Sequence, residues 1–181
     1  MFIKDLQSKA VQLDNYQATY LTLKSDNNLF RFDIIDKKEF RLKKHTVGHL
    51  SLFENHPLLL DYNENIVTAY INSKPDDSDK FKQDFKNAID DITKGWRNWA
   101  TYVEIKNINF TVDTFFNNVK HGTGKLFEAP SSIAKSITAV CDKHKVLIKT
   151  FTNELLPDNC QLLVFGDNYV IAKEFKLHID K

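Results

Sequence analysis

Hydrophobic and polar positions change period several times along this chain, and each change predicts an element. Phe2, Ile3, Leu6, Ala10 and Leu13 recur at three- and four-residue spacings, which predicts a short helix over 2–12. From Tyr16 the period becomes two. Residues 16–23 are rich in β-formers, and Ser25-Asp26-Asn27-Asn28 is a turn cluster. Phe30, Phe32 and Ile34 alternate with Arg31 and Asp33, and Phe40 and Leu42 alternate with Arg41 and Lys43. A reversal at Asp36-Lys37-Lys38 joins the two runs as a hairpin. It sets Ile34 opposite Phe40, Phe32 opposite Leu42, and Asp33 opposite Arg41 as a cross-strand ion pair. Gly48 and His56-Pro57 interrupt any regular pattern over 45–57. Residues 58–62 and 66–72, flanking Asn63-Glu64-Asn65, read as a second hairpin.

Phe81, Phe85, Ile89, Ile92, Trp96 and Trp99 follow at spacings of 4, 4, 3, 4 and 3, the stripe of one amphipathic helix. Asp76, Asp77 and Asp79 suit its N-terminal end, while Lys94 and Arg97 suit its C-terminal end. Gly95 interrupts it late. Beyond it, 101–106 reads as a strand, 111–120 as a short helix ending at Gly122, and 125–128 as a strand. Ser131-Ser132 caps a helix running to about His144, and 146–151 and the segments either side of Gly166-Asp167-Asn168 read as strands. A β-α-β unit over 125–151 fits this order. The fold expected is α+β: a single globular domain over 1–181 of largely antiparallel β-hairpins, with one long amphipathic helix and several shorter helices packed on the sheet.

Composition narrows the class. Fourteen Phe, six Tyr and two Trp among 181 residues supply a core without help from metal or disulfide, and five Gly with four Pro exclude collagen-like and low-complexity chains. Lys and Arg total 25 against 24 Asp and Glu, a net charge of +1. Such a balance gives no general attraction to nucleic acid or to an anionic membrane. Lys4 and Asp5 break the apolar stretch a signal peptide needs, and no apolar run approaches the roughly 18 residues of a membrane span. Cys141 and Cys160 match no metal or redox motif and read as free thiols, so a cytoplasmic location is expected.

Catalytic chemistry finds little support. Gly122-Thr123-Gly124-Lys125 has Val119 and Leu126 where a phosphate loop needs Gly and Ser or Thr. His45 and His49 would share a helix face but lie about 13 Å apart along a strand, too far to share a metal. His56, Glu54 and Asp61 follow without a ligand pattern. Cys141 sits on an apolar helix face, and Asp76-Asp77 and Asp90-Asp91 are adjacent residues that point apart. No catalytic, cofactor-binding or metal-ligating residue is assigned, and no cofactor is expected.

His121-Gly122-Thr123 resembles the His-Gly-Ser/Thr signature of ADP-ribosyltransferases, and 162–179 is similar to that family's closing strands. The resemblance implies an enzyme acting on a nucleotide or sugar-phosphate ligand, with a pocket near His121 to Gly124. In that family a strand just before the last hairpin carries a catalytic Glu, where this sequence has Gln161.

The remaining signal is a basic cluster. Lys37, Lys38, Arg41, Lys43, Lys44 and His45 fall within nine residues, and Arg41, Lys43 and His45 share a face in the expected hairpin. A solvated sheet edge accounts for such a cluster; so does a surface for an acidic protein partner. Nucleic acid is not expected there, because the aromatics lie on the opposite face. The function expected is therefore a non-catalytic protein-binding module, an immunity-type inhibitor or assembly factor, with Lys37, Lys38, Arg41, Lys43 and His45 as partner-binding residues. The alternative is the enzyme that the resemblance implies.

Overall fold

The structure, a computed structural model, describes residues 9–26, 28–43, 47–73, 75–104, 124–154 and 157–180. Nine strands lie among them: β1 (Ala10–Tyr16), β2 (Tyr20–Ser25), β3 (Asn28–Arg41), β4 (Val47–Phe53), β5 (Ile66–Ile71), β6 (Lys125–Pro130), β7 (Ile148–Asn153), β8 (Gln161–Phe165) and β9 (Asn168–Asp180). The α-helices among the described residues are α1 (Leu60–Asn63), α2 (Ser78–Thr93) and α3 (Ser131–Lys143). The chain divides into two compact units, 1–62 with 158–181 and 63–157.

The first unit is a closed antiparallel barrel in the order β1-β2-β3-β9-β8-β4, with β4 pairing back onto β1. Alternate side chains point inward and fill it: Val11, Leu13, Leu21, Leu23, Phe30, Phe32, Ile34, Leu50, Leu163, Phe165, Val170, Ala172 and Phe175 form one buried cluster. A second cluster lies on the outer side of β8 and β9, where Leu58, Leu59 and Cys160 cover Leu162 and Ile171. Buried on both faces, β8 needs the unbroken run Leu162-Leu163-Val164-Phe165 rather than an alternation.

This architecture corrects the expected fold class. The larger sheet closes on itself instead of presenting a face for helices, and the molecule is mostly antiparallel β with short helices. The expected hairpin at Asp36-Lys37-Lys38 does not form. β3 runs straight through, paired along its length with β9, and absorbs the irregularity as a bulge between Lys37 and Glu39, with Asp36 at φ 52°. Ile34 therefore faces Phe175 and Phe40 faces Val170. The Asp33–Arg41 pair is absent too: Asp33 accepts from Arg31 Nε and contacts His178 Nε2, both at 2.9 Å. Ala10–Tyr16 is a strand and not the end of a helix, because Val11 and Leu13 both turn inward at period two. Residues 1–8 lie outside the described residues. Segment 58–62 is a 3-10 turn (Pro57–Leu59) leading into α1, so the second expected hairpin is replaced by a helical connection.

The second unit has β5 at the centre of a three-stranded sheet, with β6 and β7 antiparallel to it on either side. α3 connects β6 to β7 and packs on β5 and β6, and α2 packs on α3. Asp77 caps α2 by accepting from the Lys80 N–H (2.9 Å), and Phe81, Phe85, Ile89 and Thr93 are its buried stripe. The long helix expected over 81–99 ends early. Lys94 is left-handed at φ 52° and Gly95 at φ 76°, so Trp96 projects into solvent and Trp99 belongs to a separate 3-10 turn. Ser131 and Ser132 lie inside α3 rather than before it. The cap comes from Glu64, whose carboxylate accepts from Ser132 N–H (2.7 Å), Ser132 Oγ (2.5 Å) and Ser131 Oγ (3.1 Å). The strand expected at 101–106 appears, in its described part, as the end of a 3-10 turn and a single bridge from Val103 to Phe127. The helix expected at 111–120 lies outside the described residues.

Candidate protein-binding surface

The basic residues singled out by sequence sit at one end of β3, and the barrel occupies several of them. Lys37 Nζ donates to Tyr16 Oη (2.8 Å) and lies 4.5 Å over the Phe40 ring, itself 5.3 Å from the Tyr16 ring. Lys38 bridges Asp158 (2.9 Å) and Asp36 (3.0 Å); their hydrogen bonds push its pKa well above the ordinary lysine range. Lys43 donates its backbone N–H to Asn168 Oδ1 (2.6 Å), and its Nζ lies 3.5 Å from Asp167. Arg41 is exposed opposite Tyr169 and makes no ion pair among the described residues. Lys44 and His45 lie outside the described residues. The structure thus brings Lys37, Lys38, Arg41 and Lys43 to one region of the barrel, interleaved with Asp36, Glu39, Asp158 and Asp167.

Other candidates resolve into structural roles. His56 Nδ1 accepts from the Leu58 N–H (3.2 Å), capping the 3-10 turn, and burial lowers its pKa. His49 is exposed on β4. Among the described residues no three His, Cys, Asp or Glu side chains gather as a metal site. Cys141 and Cys160 are buried and are not joined in a disulfide, and desolvation pushes the Cys141 thiol up to about 12, which leaves it protonated at neutral pH. His121, Gly122 and Thr123 lie outside the described residues. The Gly124 carbonyl accepts from Ile71 N–H (2.8 Å), continuing the pairing of β5 with β6.

Sequence reasoning passed over one polar cluster. Asp84 on α2 receives Lys143 Nζ (2.7 Å) and His144 Nε2 (2.8 Å), both on Oδ2, and these bonds hold its carboxyl below the usual range. A cavity of about 260 Å³ lies beside it, lined by Asp76, Asp77, Lys80, Lys143, His144 and Lys145. Its lining sets two carboxylates against three ammonium groups, and Lys143 and His144 are both spent on Asp84. The cluster ties the end of α3 to the middle of α2.

The more open surface is the sheet of the second unit. Alternation along β5 sends Val67, Ala69 and Ile71 to the helix side and Ile66, Thr68 and Tyr70 to the other. Register places Lys149 and Phe151 of β7 beside Tyr70 and Thr68 on that second face. Tyr70 (41% exposed) and Phe151 (49%) meet edge to face at 5.8 Å, with Lys149 Nζ 5.0 Å over the Phe151 ring. From Lys149 to Asn153 every residue of β7 is exposed, and the strand pairs only with β5 among the described residues. β7 is a free edge. The sequence signal for it is an aromatic on the polar side of an alternation: Tyr70 between Ala69 and Ile71, and Phe151 between two threonines.

The fold and surface define a closed β-barrel whose chain is interrupted by a small α+β unit with an exposed strand. Comparison with known protein families, with curated proteins and with solved structures finds no match. Among the described residues no helix is long and apolar enough to cross a membrane.

Proposed function

We propose that this chain is a non-catalytic protein-binding module, an inhibitor of the immunity type or an assembly factor, acting by surface complementarity. The observation that carries this reading is the edge of β7, unpaired among the described residues, beside the exposed Tyr70–Phe151 pair. An unpaired strand offers a partner's extended segment a ready ladder of backbone donors and acceptors, and the flanking rings supply apolar contact. On the barrel the exposed Arg41, with Lys43 beside Asp167, supplies the positive charge that steers an acidic partner surface in this reading. Nucleic acid is not the partner in this reading. Lys125, on the same sheet face as Tyr70, is neutralised by Glu128 (2.6 Å) and Glu104 (3.3 Å), which leaves Lys149 beside the rings without a basic track for phosphates. A cytoplasmic location belongs to the same reading, supported by two buried cysteines that form no disulfide.

The test is affinity capture from the native host with the wild-type chain and with Phe151→Asp. One stoichiometric protein partner, lost with the variant, is the expected outcome. Reversal of Arg41 and Lys43 to Glu slows that partner's association and flattens its salt dependence. A small phosphorylated ligand recovered in place of a protein would instead favour the enzyme alternative.

A further inference from the structure

We infer that the segment seated on β7 is β7 of a second copy of this chain, paired antiparallel about a two-fold axis at Phe151. The inference rests on the reading of β7 as the binding edge. The Leu147 carbonyl accepts from Asn72 N–H (2.7 Å), and the β5–β7 register runs without a shift. In an antiparallel ladder this directs the backbone groups of Leu147, Lys149, Phe151 and Asn153 toward β5, and those of Ile148, Thr150 and Thr152 outward. Two copies pair only where outward groups meet outward groups, so the axis passes through a residue and not between residues.

Two centres satisfy that condition near the middle of the strand, Thr150 and Phe151, and charge decides between them. With the axis at Thr150, the two Lys149 side chains become diagonal neighbours about 7–8 Å apart on one face, which is unfavourable. With the axis at Phe151 they lie four strand positions apart, about 13 Å, and each faces Asn153 of the other copy. Phe151 then faces its own copy at a non-hydrogen-bonded position, where side chains approach most closely, and each Tyr70 extends the aromatic row outward. Thr150 exchanges hydrogen bonds with Thr152 of the other copy on both sides of the axis. The pairing doubles the three-stranded sheet into a six-stranded one and covers the β7 edge that is open among the described residues. A net charge of +1 opposes the approach of two copies very little.

Sedimentation of the full chain over a wide concentration range, with four variants, tests this. The wild type is expected to pass from monomer to dimer as concentration rises. Phe151→Cys is expected to form a covalent dimer under mild oxidation while Thr150→Cys lags well behind, since Cys141 and Cys160 are buried and do not compete. Thr150→Pro removes an outward N–H and Phe151→Asp sets like charges face to face. Both are expected to stay monomeric with unchanged circular dichroism. Faster cross-linking through Thr150→Cys would overturn the Phe151 axis. A wild type that stays monomeric, yet captures a different host protein through β7, would overturn self-pairing and leave the proposed function standing. A monomer with no β7-dependent partner would overturn both.

Discussion

Gly48 shows how much a single missing methyl group can matter. A Cβ at this position of β4 would overlap the backbone N and Cα of Gly166 and stand 2.7 Å from the Phe165 carbonyl carbon. The close approach occurs where β4 meets the turn between β8 and β9, so no flexible side chain can move aside. Gly48→Ala is expected to destabilise the barrel by about 1–3 kcal/mol, read from urea unfolding, whereas His49→Ala next door changes little because His49 is exposed. Equal midpoints for the two variants would sink the packing account. In the sequence Gly48 reads as a break in pattern, since glycine weakens a strand wherever nothing rewards its lack of a side chain. The reward here is a neighbouring backbone more than a hundred residues away, which no local window reveals. The same holds for Asp36: a local reading sees a turn residue, while pairing with β9 on both sides of it keeps the strand going.

At the level of elements, legibility follows sequence separation. The stripe Phe81, Phe85 and Ile89 is visible because helix periodicity is local, and all three side chains are buried. Where that helix stops is only partly visible. Gly95 marks a late interruption while Trp96 and Trp99 continue the spacing, and the left-handed Lys94 and Gly95 together take the chain out of it. Phe85→Ala is expected to cost about 3–5 kcal/mol by opening a cavity against α3, and the exposed Lys86→Ala to stay within about 0.5 kcal/mol. Matching melting temperatures would mean that the stripe does not face the core. Several strands were legible as strands, although β1 read partly as a helix and β4 lay in a segment without pattern, and the β8–β9 turn, with Gly166 at φ 59°, was placed almost to the residue. Their partners were not. The closed barrel depends on β3 with β9 and β4 with β8, pairs joined by no short turn. The exposed face of β5 and β7 was hidden for a different reason: an aromatic at a surface position looks in sequence like a core residue.

For the whole molecule, the sequence offers no linker between halves, and the two units it forms are interleaved and not consecutive. The barrel chain leaves at Tyr62 and returns at Asp158, whose N–H donates to the Tyr62 carbonyl (3.0 Å). Replacing 63–157 with a short Gly-Ser bridge is therefore expected to preserve a barrel that unfolds in one cooperative step by circular dichroism. An unfolded product would return the chain to the single 181-residue domain that its composition leads one to expect. The interleaving also orders events during synthesis. As the chain emerges from the ribosome, β1 to β4 are made early, yet Arg41 must wait for Tyr169 and Leu29 for Asp180. Among the described residues β5, β6 and β7 of the inserted unit pair only with one another, and the unit is translated in between, so it is free to fold while the earlier strands still lack β8 and β9. Until the last strands arrive, β3 and β4 present unpaired edges, the state most exposed to aggregation and to chaperone capture. The time between the making of β4 and the arrival of β8 and β9 is therefore the window in which the newly made chain is most open to loss.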